Sequence, residues 1–317
     1  MTGPQGQALD GVLVIDKPTG LTSHDVVARV RRAARIRRVG HLGTLDPMAT
    51  GVLPLVVGKA TRLASLLSPG RKTYDGLIRL GVATDTYDMT GAVTDDRREG
   101  MAAGDPPPPS EDAVARAAEA FNGTFLQCPP PYSAKRIKGV RAYRLARRNR
   151  PVAPDPVEVT VHALDILAVT PTQVRCRVTC DPGFYMRALA HDLGAALGCG
   201  ACLEALRRER NGTFDLDNAI PLDQLDRPDA DVAGRLIPIG DLLPEAPRLT
   251  LTPHGVTRAR HGNDLTAADV VSSDRAWTDT PLPEGKALAR LYDADGRFLA
   301  IARSDAARIL HPTIVVV

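Results

Sequence analysis

The segment Gly40-His41-Leu42-Gly43-Thr44-Leu45-Asp46-Pro47-Met48-Ala49-Thr50-Gly51 sets one carboxylate, Asp46, in a stretch too rich in Gly, Thr and Pro for regular structure. An isolated Asp-Pro pair ordinarily makes a turn, because Asp bonds its own backbone and the residue before Pro is pushed out of the helical region. The neighbours here ask for more. Glycines, two threonines and a histidine five residues upstream crowd the carboxylate, and an arginine-dense segment precedes it. A carboxylate nucleophile working against a polyanion needs that combination: a loop that admits close approach, and cations nearby.

The elements that must hold this loop are legible on both sides of it. Gly11–Ile15 reads as a strand. Thr22-x-x-Asp25 has capping-box spacing and opens a helix whose Val26, Val27, Val30 and Ala34 share one face while arginines take the other. The apolar run Val52–Val57 leads out, followed by a helix through Leu63, Leu66 and Leu67. Gly58-Lys59-Ala60-Thr61 lacks the glycine spacing and the hydroxyl of a phosphate loop, which excludes nucleotide binding there. Alternation predicts strands at Lys72–Leu80, Val157–Val161 and Val174–Cys180, and apolar periodicity predicts helices at Glu111–Phe121 and Met186–Ala196. Gly81–Gly91 is turn-rich, and Asp95–Ser110, with four successive prolines, reads as an exposed insertion. Asp226–Ala233 reads as a boundary loop and Leu236–Pro247 as a linker. From Arg248 the pattern changes to short strands, a helix near His254–His261, a hairpin at Asp293-Ala-Asp-Gly296 and a β-branched end, Thr313–Val317.

The chain has 317 residues, enough for one large or two ordinary domains, and its 44% hydrophobic and 24% charged content is that of a soluble globular protein. Forty basic against 37 acidic residues leave a net charge of only +3, so the total does not announce a nucleic-acid binder. The distribution does. Arg29, Arg31, Arg32, Arg35, Arg37 and Arg38 fall within ten residues, and Lys135, Arg136, Lys138, Arg141, Arg144, Arg147, Arg148 and Arg150 within sixteen. Segregation of this kind makes a basic face. No apolar run approaches the ~20 residues needed to span a bilayer, and the polar N-terminus has no secretory core, so a cytoplasmic protein without membrane association is expected. Cys176-x3-Cys180 and Cys199-Gly-Ala-Cys202 mimic a zinc set, but the first pair sits in an alternating strand pattern and lacks the two-residue knuckle. Small apolar fillers are the better reading, with no metal.

Asp16-Lys17-Pro18-Thr19-Gly20-Leu21-Thr22-Ser23, followed by the Asp46 segment, resembles the bacterial tRNA pseudouridine-55 synthase family, whose signature is D-K-P-x-G-x-[ST]-S and then G-H-x-G-x-L-D-P-x-A-[ST]-G. The match holds at essentially every defined position. The resemblance implies an isomerase that flips a uridine out of the T loop and remakes its glycosidic bond from N1 to C5, without a cofactor. Asp46 would be the nucleophile, at either ribose C1′ or uracil C6; both remain open. Gly183-Phe184-Tyr185-Met186-Arg187 resembles the family's G-x-Y-[IV]-R, in which the arginine pairs with the catalytic aspartate; Phe184 and Met186 depart from the commoner residues. By the same resemblance Tyr74 stacks on the uracil and is a candidate general base, Tyr185 supports the uracil pocket and Leu206, in Leu206-Arg207-Arg208, lines it. His41 helps hold the flipped-out loop, and Lys17 braces the active-site loops or touches phosphate. The run Gly81-x-x-Thr84-x-Thr86-x-Asp88-x-x-Gly91 also fits the family and reads as structural. Residues 127–150, with Lys135, Arg136 and Tyr143, fit a mobile RNA-docking segment.

The fold expected is α/β (α+β): a mixed, mainly antiparallel sheet with flanking helices in a catalytic domain (1–244), then a small PUA-like β-barrel for RNA binding (245–317). Periodicity supports α/β in general; the particular fold comes from the resemblance. The expected partner is the tRNA T-stem-loop, bound by a monomer with no obligate protein partner. Two rival readings are an RNA-binding protein whose catalysis is lost, and a guide-RNA-dependent relative. The intact set Asp46, Tyr74 and Arg187 argues against the first, and the long basic segment 127–150 against the second.

Overall fold

The computed structural model describes residues 9–96, 108–132, 136–137, 140–141, 155–227, 231–275, 287–305 and 307–316. Its first strands are β1 (Gly11–Lys17), β2 (Val39–His41), β3 (Thr50–Val57), β4 (Lys72–Leu80), β5 (Val82–Thr84), β6 (Val93–Asp96) and β7 (Gly123–Gln127). Then come the two-residue strands β8 (Arg136–Ile137) and β9 (Val140–Arg141), the long β10 (Val157–Thr170), β11 (Gln173–Cys180) and β12 (Ala201–Asn211). Three short pieces close this part: β13 (Phe214–Asp215), β14 (Ile220–Pro221) and β15 (Ile237–Pro238). One eleven-stranded sheet runs β14-β1-β3-β12-β4-β11-β10-β7, with β13 on β12, β15 on β1 and β2 on β3. Two of its pairings are parallel, β1 with β14 and β12 with β3, and the rest are antiparallel, as the mixed, mainly antiparallel expectation requires.

The sheet is covered on both faces where the site will sit. In β1, Leu13 and Ile15 enter one apolar cluster, and Val12 and Val14 the other; in β3, Leu53 and Leu55 alternate with Val52 and Val56 in the same way. Double burial explains why these strands read as unbroken apolar runs, and each such side chain contributes about 1.5–3 kcal/mol. Strand β4 alternates strictly, with Lys72, Tyr74, Gly76, Ile78 and Leu80 facing inward. Opposite it in β11, Cys176 faces Gly76 and Cys180 faces Lys72. Burial pushes both thiols up to about 12, the behaviour of inert packing groups. The helix Ser23–Ala34 begins at the box its spacing predicts: the Thr22 hydroxyl accepts from the Asp25 amide while the Asp25 carboxylate accepts from the Thr22 amide. Such a cap is worth about 1 kcal/mol. The helix Met186–Ala196 has the predicted bounds.

Three expectations change. The strand foreseen over Val157–Val161 pairs there with β7 and continues to Thr170, paired from Val161 onward with β11 across two bulges. Leu236–Pro247 is no free linker: Ile237 and Pro238 pair with Val12 and Gly11, and Arg290 and Tyr292 both donate to the Gly240 carbonyl. The C-terminal strands β16 (Arg248–Leu251), β17 (Val270–Ser273), β18 (Ala287–Tyr292), β19 (Phe298–Ser304) and β20 (Leu310–Val315) form a sheet in the order β17-β16-β18-β19-β20, with its own apolar cluster and the helix Pro253–Arg260. That sheet is open. Its end strands share no ladder among the described residues, although an isolated bridge joins Leu265 to Leu310. Ile301 packs with Val12, Val14 and Val56, joining this unit to the large sheet. Most of 127–150, including Lys135 and Tyr143, and residues 97–107 of the insertion lie outside the described residues.

Strand β3 meets β12 at Gly51, opposite Arg208, with φ of 99°. A Cβ there would run into the Arg208 carbonyl oxygen and carbonyl carbon. Gly51→Ala is expected to destabilise the protein by about 3 kcal/mol or more, read as a lowered urea midpoint.

Candidate active site

Asp46 sits in the loop between β2 and β3, which is pinned by its apolar residues and by polar bonds. Leu42 is buried in one cluster, and Leu45 and Ala49 in the other, so the loop straddles the sheet. Ser23, the first residue of the N-terminal helix, donates its hydroxyl to the Leu45 carbonyl (3.2 Å) and accepts from the Leu45 amide (2.9 Å). The Gly20 amide donates to the Pro47 carbonyl at 2.7 Å. The Asp46 side chain, 35% exposed, remains open to a substrate.

Arg187 closes on it from the start of the helix Met186–Ala196. Its Nε donates to Asp46 Oδ2 at 2.9 Å and its Nη2 to Oδ1 at 3.3 Å, a two-pronged contact that fixes the plane of the carboxylate. Nη1 donates to the Thr86 carbonyl (3.0 Å), and Nη2 donates also to the Tyr132 carbonyl (3.0 Å). A second carboxylate, Asp88, lies 3.7 Å from Arg187 Nε. Arg187 and Asp88 are almost wholly buried, so the pair is held out of water while Asp46 faces it. Asp88 is itself fixed by the Thr86 hydroxyl and the Thr90 amide, both at 2.9 Å. Its run reads as structural in the sequence. In space it delivers a buried carboxylate to Arg187. Between Thr86 and Asp88, Tyr87 has φ of 64°, which costs a non-glycine residue about 1–2 kcal/mol.

Two further buried cations surround the loop. Lys17 is fully buried and donates to the carbonyls of Pro18 (2.8 Å), Leu21 (2.7 Å) and Pro47 (3.3 Å), so it braces the loops. Burial lowers its pKa to about 8, against the opposing pull of Asp46. Arg208, also fully buried, lies in β12 between Gly51 of β3 and Tyr74 of β4. Its guanidinium donates to the carbonyls of Val52 (2.7 Å), Gly43 (3.1 Å) and Thr44 (3.5 Å), and Asn211 adds a bond to the Leu42 carbonyl (2.6 Å). Neither cation has a carboxylate within ion-pair distance among the described residues. Sequence reasoning assigned Arg208 no role. Its only signal was a place two residues after Leu206, which in a strand means the same face.

Tyr74 and Leu206 share the cluster beside the loop. Burial raises the Tyr74 pKa while Arg208 works against that, so the resting phenol is the proton-bearing form and offers a ring face and a donor. His41 ends β2, half-buried, with a ring edge-on to His24 at 5.4 Å and a buried Nδ1 lacking a partner among the described residues. Burial first, then His24 and Arg208, lower its pKa, leaving a neutral ring at neutral pH. Tyr185 caps the Arg187 helix, and Gln127 holds its backbone from both sides: the amide carbonyl accepts from Tyr185 N–H (2.9 Å) and the amide NH2 donates to the Tyr185 carbonyl (3.2 Å). Gln127, nearly fully buried, was read only as the start of a basic segment; in the fold it aligns the turn that launches Arg187. Arg136 contributes backbone to β8, and its side chain, like Lys135, is outside the described residues.

Among the described residues no group of three His, Cys, Asp or Glu is arranged to hold a metal, and no helix is long and apolar enough to cross a membrane. What the arrangement can do is present one oriented, solvent-facing carboxylate against a protonated phenol and an apolar wall.

The depressed Lys17 value fixes a sign. Between about pH 8 and the ordinary value of 10.5 the unfolded chain binds this proton more tightly, so the Lys17 contribution to stability rises with pH across that window. Over the same window the charge facing Asp46 is lost. Turnover is therefore expected to fall through about pH 8 while the stability difference between wild type and Lys17→Met moves in favour of wild type. Parallel pH profiles of kcat and of the urea midpoint check both signs.

Residues 31–186 match the TruB family pseudouridylate synthase N-terminal domain, and residues 187–233 the tRNA pseudouridylate synthase B C-terminal domain. A tRNA pseudouridine synthase B from Solibacter usitatus is 43% identical over 97% of this chain and 100% of its own length. One from Burkholderia pseudomallei is 40% identical over 98% of each chain. Among solved structures, a chain of an H/ACA RNP bound to a substrate RNA containing 2′-deoxyuridine superposes with TM-score 0.68 at 24% identity, covering 97% of this chain and 85% of its own, a likeness of fold. A chain of a Cbf5-Nop10-Gar1 complex gives 0.67 at 27% identity, covering 95% and 80%. By its matched domains and its near-full-length relatives, the chain belongs to the TruB family of pseudouridylate synthases.

Proposed function

We infer that this protein isomerises uridine to pseudouridine in tRNA, at position 55 of the T loop, with Asp46 as nucleophile. The observation that carries the reading is the two-pronged Arg187–Asp46 contact, formed between the Asp46 segment and the Gly183–Arg187 motif and open to solvent on the Asp46 side. The N1–C1′ bond breaks, the uracil turns within the pocket, a C5–C1′ bond forms, and the C5 hydrogen leaves to solvent. Asp46 attacks ribose C1′ or uracil C6 and is released when the new bond is complete. Arg187 keeps the carboxylate oriented, Tyr74 and Leu206 hold the flipped base, Tyr185 supports that pocket and His41 helps hold the flipped-out loop.

Charge supports a polyanionic substrate. Arg32, Arg35, Arg37 and Arg38 are exposed at the end of the helix that leads into β2 and His41, while Arg29 is drawn to Asp226 at 3.4 Å. The open C-terminal sheet, residues 245–317, is read as the PUA-type RNA-binding unit, and Lys135 and Arg136 as part of the docking segment. A monomer acting in the cytoplasm on the T-stem-loop, without cofactor or obligate protein partner, completes the reading.

The test is tritium release from unmodified tRNA carrying 5-³H-uridine. Wild type is expected to release one equivalent per tRNA, and Asp46→Asn none while binding tRNA within a few-fold of wild type. Release by Asp46→Asn at a comparable rate would remove Asp46 as nucleophile. Binding without release by wild type would leave an RNA-binding protein.

A further inference from the structure

Tyr87 adopts a backbone conformation that a glycine takes without strain, yet the position carries a large aromatic side chain. Its ring stacks on His191 at 3.9 Å between centroids and 21° between planes. His191 lies four residues after Arg187 in the helix Met186–Ala196, on the same face one turn on. Its Nδ1 is tied to the Asp192 carboxylate at 3.0 Å.

The residues on either side of Tyr87 are those that hold Arg187. The Thr86 carbonyl accepts from Nη1, and the Asp88 carboxylate faces Nε. The left-handed residue between them turns both toward one guanidinium. The Tyr87 carbonyl accepts from the Leu203 amide (2.9 Å) and the Met89 amide donates to the Leu203 carbonyl (3.0 Å), so the turn is also registered on β12. A cavity of about 320 Å³, lined by Tyr87, His191, Tyr132 and Asp85 among others, adjoins the stack, so close packing does not lock the ring on that side. The stack is a further contact between the turn and the helix, beside those that Arg187 makes to Thr86 and Asp88.

We propose that the Tyr87–His191 stack is a positioning device for the reaction: it sets the register of the 84–91 turn against the helix, and thereby the orientation in which Arg187 presents the Asp46 carboxylate. The proposal rests on the reading of Asp46 as nucleophile. Neither residue touches substrate; both act through Arg187. The device uses two residues outside the family motifs, Tyr87 at an unspecified position of the turn and His191 beyond the G-x-Y-[IV]-R segment.

Tyr87→Gly separates positioning from folding, because glycine accepts the turn without strain and only the ring is lost. Tyr87→Gly and His191→Ala are each expected to lower single-turnover tritium release at saturating tRNA about tenfold, with KM for tRNA within twofold and the thermal midpoint of Tyr87→Gly kept within a few degrees. The double variant should be no slower than the slower single one, and Tyr87→Phe, which keeps the ring, should restore the rate. The Arg187 Nε–H resonance, shielded by its bond to Asp46, should exchange with solvent several-fold faster in Tyr87→Gly; this readout does not depend on turnover. Wild-type rate and exchange in Tyr87→Gly, or losses that simply multiply in the double variant, would overturn the proposal while leaving the nucleophile in place. Release from Asp46→Asn equal to wild type would instead overturn the reading beneath it.

Discussion

The guanidinium of Arg187 gathers parts of the chain that are otherwise far apart. It joins the Asp46 loop, the turn carrying Thr86 and Asp88, the Tyr132 carbonyl and its own helix, through four hydrogen bonds and the close approach of Asp88. A planar fork suits this task where an ammonium would not, because each N–H has a fixed direction and the acceptors are spread around one plane. Burying such a cation is costly unless its donors are met, so satisfying it constrains every segment it touches. Gln127 holds the Tyr185 backbone at the start of the Arg187 helix, and Ser23 holds Leu45 beside Asp46, so both partners of the pair are braced.

Around Asp46 the electrostatics are lopsided. Lys17 and Arg208 are buried and spend their donors on backbone carbonyls, and among the described residues neither has a carboxylate within ion-pair distance. Of these carbonyls, Pro47, Gly43 and Thr44 belong to the Asp46 loop, Val52 to β3, and Pro18 and Leu21 to the turn between β1 and the N-terminal helix, so the cations both shape the loop and leave positive potential behind it. Burial lowers the pKa of each, which shows that the site carries these charges at a cost in stability. Active sites commonly store free energy in this way.

The surface follows a different logic. Paired arginines on the large sheet, such as Arg175 with Asp75 and Arg177 with Glu209, are occupied by carboxylates across the strand. Those at the end of the N-terminal helix are left to solvent, next to the strand that supplies His41. A modest net charge is thus compatible with a strongly basic local face, because acidic residues neutralise arginines elsewhere.

Much of the chemistry was legible without the fold. The Asp46 loop, the capping box at Thr22 and Asp25, the double-buried strand β3 and the helix bearing Arg187 are written in local spacing, because their forces act over three or four residues or along one strand. The resemblance added the pairing of Asp46 with Arg187, 141 residues apart, which periodicity cannot see. What only the tertiary structure decided are the contacts between strands and turns distant in sequence. Alternation says that Leu206 and Arg208 share a face, not that β12 lies between β3 and β4 and drives a guanidinium under the Asp46 loop. Nothing in its neighbours marks Tyr87 as left-handed; the conformation is imposed by the bonds on both sides of it. The open C-terminal sheet likewise depends on which edges meet. Local sequence determines the elements and the reactive groups; only packing, where long-range bonds outweigh local preference, determines which buried charges surround them.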